Sequence, residues 1–172
     1  MCGIAGIAFL RQGDLAAMTS AMNHRGPDDA GSYADDLVRL GHARLAIIDT
    51  SEGGHQPMAS ADSGIQLVFN GEIYNFRAQR KLLEAKGHSF RTESDTEVVL
   101  KLYMEYGESF LERLRGIFAL ALYDKRGGPE KAKLVLARDQ FGIKPLLYTQ
   151  INGGIVFASE LKAMLASGLM PN

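Results

Sequence analysis

The sequence predicts an α+β domain in which antiparallel strands and helices occupy separate parts of the chain. Apolar runs of strand length come first, helical patterns follow between residues 76 and 114, and strand-like runs return after Gly116. This order lacks the regular strand–helix alternation that is typical of a parallel, doubly wound sheet. Because 172 residues are enough to bury a core without disulfides, we expect one domain over residues 1–172.

The predicted strands are short apolar runs bounded by glycine, proline or polar residues. They cover residues 4–10, 37–40, 43–49, 65–69, 117–123, 133–138, 146–149 and 155–158. Residues 50–63, between the third and fourth runs, are rich in Gly, Ser and Pro and are long for a simple connection. Loops of that kind often border binding sites, and we expect the same here.

The predicted helices are marked by capping residues as much as by apolar spacing. They cover residues 15–22, 76–85, a segment after Ser94, 110–114 and 160–165. Asp14 and Asn75 are the expected N-caps of the first two helices, and Gly87 is the expected stop of the second. The run from Ser94 to Glu97 matches a capping box. In such a box the Ser94 side chain bonds the backbone N–H of Glu97, and the Glu97 side chain bonds the backbone N–H of Ser94.

Composition and charge exclude several classes of protein. The net charge of −1 provides no basic surplus for binding nucleic acid or anionic lipid. A single cysteine cannot form an internal disulfide, and no His or Cys spacing suggests a metal site. The sequence shows no signal peptide and no apolar run of membrane-spanning length. We therefore expect a cytoplasmic protein that binds neither nucleic acid nor membrane.

The single cysteine, Cys2, is the first candidate for a catalytic residue. Removal of Met1, which is normal before a small residue, would place its thiol beside a free α-amine. An amine with a pKa of about 7.7–8.0 can accept the thiol proton, and N-terminal amines activate nucleophiles in this way. The alternative is that Cys2 is a small buried hydrophobe, which is the commoner fate of a lone cysteine. The position of Cys2 alone does not decide between a nucleophile and a buried core residue.

Three further positions are candidates for contacts with a small polar substrate. Asn70-Gly71 could direct an amide and a backbone N–H at an oxyanion, although Asn-Gly is also the commonest two-residue hairpin turn. Arg44 lies in an otherwise apolar run, where a guanidinium usually pairs with a carboxylate. Asp95 could accept a substrate ammonium or simply favour a helix N-terminus. Residues 138–145 are interpreted as a structural turn or a docking surface.

Eight short motifs follow one another along nearly the whole chain. They are Met1-Cys2-Gly3-Ile4, His24-Arg25-Gly26-Pro27-Asp28, Ala43-Arg44-Leu45, Asn70-Gly71-Glu72-Ile73-Tyr74-Asn75, Ser94-Asp95-Thr96-Glu97, Gly116-Ile117-Phe118-Ala119, Arg138-Asp139 through Lys144-Pro145-Leu146, and Phe157-Ala158-Ser159-Glu160. In this order they resemble the class II glutamine amidotransferases, specifically the glutaminase domain of the asparagine synthetase type. One such motif would be a weak signal, but eight in register are specific.

The resemblance implies an Ntn-hydrolase fold, a four-layer αββα sandwich with two antiparallel sheets. It implies that Cys2 attacks the side-chain amide of glutamine, while Asn70 and the Gly71 N–H form an oxyanion hole. The substrate-binding residues that it implies are Arg44, Leu45, Ile47, Glu72 and Asp95. In this scheme the arginine holds the α-carboxylate and the aspartate the α-amine, ammonia leaves, and water hydrolyses the thioester to glutamate. The resemblance implies no metal or organic cofactor for this half-reaction.

The same resemblance implies a partner for the ammonia. Proteins of this branch continue into an ATP-dependent synthetase domain that uses ATP and Mg, and we expect the sequence ending at Asn172 to be a glutaminase domain excised from such a protein. The strands after Gly116 and the Lys144-Pro145 turn are expected to face this synthetase domain. A homodimer is a separate expectation. The alternatives are a glutaminase that serves a sugar or peptide acceptor, and a non-catalytic docking domain with the same fold. The site is expected to exist only once Met1 is removed.

Overall fold

Two antiparallel sheets form the middle of the computed structural model, which describes residues 1–170. Residues 171 and 172, the end of the predicted domain, lie outside the described part. The strands are β1 (Gly3–Ala8), β2 (Asp29–Ala34), β3 (Val38–Arg44), β4 (Met58–Ala59), β5 (Ile65–Ile73), β6 (Gly116–Asp124), β7 (Lys133–Arg138), β8 (Leu147–Ile151) and β9 (Gly154–Ala158). The first sheet has the strand order β2-β3-β1-β9-β8, and the second has the order β4-β5-β6-β7.

Four α-helices cover the outer faces of the two sheets. They are α1 (Leu15–Ser20), α2 (Phe76–Ala85), α3 (Asp95–Tyr106) and α4 (Leu161–Ala166). Short 3-10 helices lie at Glu52–Gly54, Gly107–Arg113 and Pro129–Lys131. No helix within residues 1–170 combines the length and the apolar character that crossing a membrane requires.

Alternation of side chains along the strands divides the core into three apolar layers. Ile4 of β1 packs with Val68 of β5 in the layer between the two sheets. Ala5 of β1 points the other way and packs with α1 and α4. On the second sheet, Phe69 points away from the first sheet and packs with Leu102 of α3. The layers therefore run helix, sheet, sheet, helix, which is the predicted αββα sandwich.

Most predicted elements are confirmed, but the strands near the site differ from the prediction. The apolar runs 37–40 and 43–49 are one strand, β3, and the chain leaves the sheet after Arg44. The prediction contained no counterpart of β2, because its sequence DAGSYA is small and polar and none of its residues is fully buried. Asn70 and Gly71 lie inside β5 and pair with β6, so the hairpin-turn alternative is wrong.

Two capping predictions fail although the helices that they mark are present. Asn75 precedes α2 but caps nothing, because its Nδ2 donates to the carbonyl of Arg113 and its Oδ1 accepts the N–H of Arg115. Ser94 does cap α3 by accepting the N–H of Thr96. Glu97, the other half of the expected box, instead accepts the backbone N–H groups of residues 91 and 92. It therefore shapes the loop that leads into α3.

The expected partner face after Gly116 is only partly consistent with the structure. Strand β6 is paired on both edges by β5 and β7, and most of its residues are buried, so it offers no free surface. Further on, β8 lies at the edge of the first sheet, and its Leu147 and Tyr148 are exposed. In the loop that precedes the Lys144-Pro145 turn, Phe141 is 88% exposed and Ile143 is 56% exposed.

The loop of residues 139–144 is organised by one buried carboxylate. Asp139 accepts N–H groups from four residues at 2.9–3.2 Å, and these are Phe118, Phe141, Ile143 and Lys144. The Arg138 Nε donates to the carbonyl of Lys144 at 2.7 Å. The interpretation of this segment as a structural turn is therefore confirmed.

Replacing Asp139 by Asn is expected to lower the free energy of unfolding by about 2 kcal/mol. The amide loses the charge and one acceptor oxygen, so buried N–H groups are left weakly bonded or unbonded. Urea unfolding at pH 7 measures the change. Asp36→Asn, at an exposed position, is the matched control and should change stability by less than about 0.5 kcal/mol. Equal stability of the two variants would contradict the assignment.

Candidate active site

Cys2 lies immediately before β1, the central strand of the first sheet. Ile4 faces the second sheet, and Cys2, two residues earlier, shares that face. Its Sγ lies 3.4 Å from the N of Leu45 and 3.5 Å from the O of Leu45. Since Gly3 pairs with Ala43, the next residue of β3, Arg44, is the cross-strand neighbour of the cysteine. The backbone of the nucleophile candidate therefore lies next to that of an arginine.

A partly buried ion pair fixes the backbone of Cys2. The Arg25 Nε donates to the Cys2 carbonyl at 2.9 Å, and its Nη1 donates to Glu160 at 2.8 Å. Burial alone would raise the pKa of Glu160, but bonds from Arg25, His24 and Lys162 outweigh it and lower the pKa to about 2. The Glu160 carboxylate therefore stays charged at neutral pH and holds the Arg25 guanidinium against the Cys2 carbonyl.

One edge of β5 has no neighbouring strand where it passes the site. β4 pairs only with residues 66 and 67, and side chains occupy the edge beyond them. The Gln56 Oε1 accepts the N–H of Phe69 at 2.6 Å, and the Asp95 Oδ2 accepts the N–H of Ile73 at 2.9 Å. Residues two apart point their N–H groups to the same edge, so the Gly71 N–H lies between these two bonds and faces the cavity.

Asn70 adds a second donor at the same place. The residue is 1% exposed, yet its Nδ2 has no hydrogen-bond partner within residues 1–170. A buried amide left unpaired costs roughly 1–3 kcal/mol, so this arrangement of Asn70 is unfavourable for folding. Together the Asn70 Nδ2 and the Gly71 N–H form a pair of donors suited to a developing negative charge.

Position 71 has no room for a side chain. A Cβ built there would collide with the carbonyl oxygen of Ile117 and lie 2.7 Å from the Cα of Phe118. Both atoms belong to the neighbouring strand β6, whose backbone cannot easily move. Glycine therefore allows β5 to pair closely with β6 while its opposite edge stays open to the cavity.

Arg44 is nearly buried and retains unused donors. Its Nη1 donates to the carbonyl of Ser51 at 2.9 Å, and its Nη2 donates to the carbonyl of Asp49. The only charged partner is Asp29, at an N–O separation of 4.0 Å within the described residues. Because arginine has five N–H donors and carbonyls do not neutralise it, the guanidinium can still bind a carboxylate.

Asp95 supplies the opposite charge on the other side of the cavity. It is the first residue of α3 and is 4% exposed. Burial raises the pKa of its carboxyl to about 6, and the charge of Glu72 adds to the rise, although the N–H groups of Ile73 and Thr96 oppose it. The carboxylate is therefore ionised but destabilised at neutral pH, and an ammonium ligand would relieve that cost.

A cavity of about 60 Å³ joins these groups. It is lined by every predicted site residue, namely Cys2, Arg44, Leu45, Ile47, Asn70, Gly71, Glu72 and Asp95. Met1 also lines the cavity, so its removal would enlarge the space as well as free the amine of the cysteine. Within residues 1–170, His, Cys, Asp and Glu form no group that could hold a metal ion.

Sequence reasoning missed several residues that shape the site. Gln56 and Lys144 line the cavity, and Arg25 holds the Cys2 carbonyl. Gln56 lies in the long loop that was expected to border a site, but its type gave no signal of burial. Lys144 is 9% exposed, and its Nζ lies 3.5 Å from the Sδ of Met1. The only available signal for Arg25 was its motif.

The whole chain, residues 1–172, matches the family model described as "Glutamine amidotransferase domain". "Asparagine synthetase [glutamine-hydrolyzing] 1" of Bacillus subtilis is 43% identical over 175 residues, covering 97% of this chain and 27% of that protein. "Amidase chyE" of Penicillium rubens is 43% identical over 158 residues, covering 92% of this chain and 23% of that protein. The chain spans about a quarter of the length of these curated relatives.

A solved structure supports the fold independently. The glutamine phosphoribosylpyrophosphate amidotransferase of B. subtilis, complexed with ADP and GMP, superposes with a TM-score of 0.81 at 24% identity. The match covers 97% of this chain and 44% of that one. At this identity the likeness concerns the fold, and it confirms the predicted Ntn-hydrolase sandwich. With a family match over its full length and this architecture, the chain belongs to the glutamine amidotransferase domain family.

Proposed function

We propose that this domain hydrolyses the side-chain amide of L-glutamine to glutamate and ammonia through a thioester on Cys2. The observation that carries the proposal is the pair of donors on β5, the unpaired Asn70 Nδ2 and the Gly71 N–H, facing the cavity that Cys2 lines. Donors aimed at the position of a developing oxyanion are the usual means of stabilising acyl-transfer transition states. The family match supports the same reaction.

The proposed first step uses the amine of Cys2 as the base. Once Met1 is absent, this amine takes the thiol proton, and the sulfur attacks the side-chain carbonyl carbon of glutamine. The carbonyl oxygen becomes an oxyanion that the donors of Asn70 and Gly71 bind. Collapse of the tetrahedral intermediate breaks the C–N bond, and the amine returns the proton to the leaving nitrogen, which departs as ammonia.

The proposed second step releases glutamate. Water loses a proton to the same amine and attacks the γ-glutamyl thioester, and the same donors bind the second oxyanion. The C–S bond breaks, the thiolate recovers its proton, and glutamate leaves. Every proton in both steps moves between the substrate, water and the two groups of Cys2, so the domain needs no cofactor for this half-reaction.

Substrate selection follows from the two opposite charges in the cavity. In the proposal Arg44 binds the α-carboxylate of glutamine, and Asp95 binds the α-ammonium with help from Glu72. Leu45 and Ile47 also line the cavity. The backbone of Leu45 contacts the Cys2 sulfur, and Ile47 lies exposed at the rim. A free amino acid satisfies both charges at once, whereas a glutamine within a peptide satisfies neither.

We further propose that the ammonia serves an ATP-dependent synthetase domain of the asparagine synthetase type, in which ATP and Mg would be bound. The asparagine synthetase relatives are about four times as long as this chain, which supports such a partner. The exposed Phe141 and Ile143 offer an apolar face for it. A different acceptor is the second candidate, because an amidase is among the relatives. Cytoplasmic location and a homodimer belong to the same proposal.

The chain that begins at Cys2 is expected to hydrolyse glutamine at least roughly a hundredfold faster than the chain that keeps Met1, because a peptide-bonded nitrogen is not a base. Protease release of an N-terminal tag, leaving either residue first, provides both forms, and mass spectrometry confirms them. Glutamate release is the assay, with processed Cys2→Ala as the background control. Equal turnover of the two forms would contradict the assigned base.

Asn70→Ala is expected to lower kcat roughly 10²–10³-fold, because one donor to the oxyanion is lost. The Michaelis constant should change little, since this bond strengthens only in the transition state. Labelling of Cys2 by an electrophilic glutamine analogue should persist, which shows that the pocket still binds. A near-normal kcat in this variant would exclude Asn70 from the reaction.

Asp95→Asn is expected to weaken glutamine binding and to stabilise the free domain at alkaline pH. The raised pKa of about 6 means that ionisation of Asp95 destabilises the fold as pH rises through that value. The stability gained by the variant should therefore grow by about 2 kcal/mol between pH 4 and pH 8. Urea unfolding at both pH values measures it, with Asp36→Asn as the control. A gain that does not depend on pH would refute the assignment.

A further inference from the structure

His42 is a buried polar residue that the proposed reaction leaves without a role. It lies in β3 opposite Ile4 of β1 and is fully buried in the layer between the two sheets. The same face of β3 carries Val38 and Leu40, which pack in the apolar core. An imidazole at this position costs desolvation free energy that another aliphatic side chain would not.

The ring makes one hydrogen bond, and that bond crosses to the strand of the oxyanion donors. The His42 Nε2 lies 3.1 Å from the carbonyl oxygen of Phe69, whereas its Nδ1 has no partner within residues 1–170. A carbonyl oxygen only accepts, so the Nε2 carries the proton and donates it. Burial lowers the pKa of His42 to about 4, so the ring is neutral near pH 7.

The accepting carbonyl belongs to the peptide that joins Phe69 to Asn70. At the other end of Phe69, its N–H donates to the Gln56 side chain. No strand continues β4 at this point, so these two side chains take over the bonds that a neighbouring strand would make. The N–H side of this peptide faces the paired strand β6, and its carbonyl side is held by His42. His42 therefore helps to set the plane of the peptide and the direction in which the Asn70 side chain leaves the strand.

We infer that His42 is a positioning residue for the oxyanion donors, a role that rests on the proposed glutamine hydrolysis. Its Nε2–H holds the Phe69 carbonyl so that Asn70 and Gly71 point at the reacting carbon. It touches neither substrate nor the reacting atoms. A tilt of this peptide moves both donors together, which costs transition-state stabilisation while leaving the charged clamps of Arg44 and Asp95 in place.

Two amide variants separate this role from simple core filling. The amide nitrogen of His42→Gln can reach the position of Nε2, whereas that of His42→Asn reaches only the position of Nδ1. The processed chain with His42→Gln should keep kcat within about threefold of wild type. The His42→Asn chain should lose kcat by roughly tenfold or more with an unchanged Michaelis constant for glutamine. Leu40→Val, on the same strand and face, should lower the melting temperature and leave both constants unchanged.

A double variant and a spectrum complete the test. In the Asn70→Ala background, His42→Asn should lower kcat by a smaller factor than in the wild-type background, because one of the two donors that it positions is absent. Nitrogen-15 NMR of the folded chain should show a neutral His42 ring protonated at Nε2. Equal kcat in the two amide variants, full additivity with Asn70→Ala, or a ring protonated at Nδ1 overturns the inference. A processed wild-type chain that releases no glutamate overturns the proposed function instead, while the NMR result still tests the hydrogen bond.

Discussion

The site depends on one constraint, the missing neighbour of β5 beyond residue 67. Backbone N–H groups along an open strand edge must find partners, and here side chains from a loop and a helix provide them. Gln56 and Asp95 take the N–H groups on either side of Gly71, so that the remaining N–H can serve a substrate. A longer β4 would pair this edge and close the site. The shortness of β4 thus leaves the interior of β5 open to the cavity, as the proposed reaction requires.

Two buried groups near the site, His42 and Asp95, change the stability of the fold in opposite directions as pH rises. The lowered pKa of His42, about 4, contributes stability above pH 6.5 that is lost as pH falls toward 4. The raised pKa of Asp95, about 6, has the opposite sign, because stability present below pH 3.8 is lost as pH rises through 6. Between these limits the two effects partly cancel. The unpaired Asn70 amide is unfavourable for folding at any pH, which is expected where geometry serves a ligand rather than the core.

Sequence reasoning found residues that are unusual for their local pattern or belong to a recognisable pair, and it missed residues whose role depends on contacts between separate segments. Cys2, Arg44 and Asp95 stand out because each is unusual for its local pattern, and the cavity brings all of them together. Local reasoning left Asn70-Gly71 open between a hairpin turn and a pair of donors, and only the pairing with β6 excludes the turn. Gln56 could not be predicted, because its bond to the Phe69 N–H forms only where β4 stops pairing with β5.

In the proposed reaction the amine of Cys2 is the base, and the fold supplies the fixed position that a chain terminus usually lacks. Terminal residues usually fray, and a mobile amine could not be held beside a thiol and a substrate. Here the terminus leads directly into β1, which is paired on both edges by β3 and β9. The carbonyl of Cys2 is further held by Arg25, whose charge is balanced by Glu160. In the proposed chain without Met1, anchoring Cys2 beside the central strand of a sheet would give its amine the fixed geometry of an interior side chain.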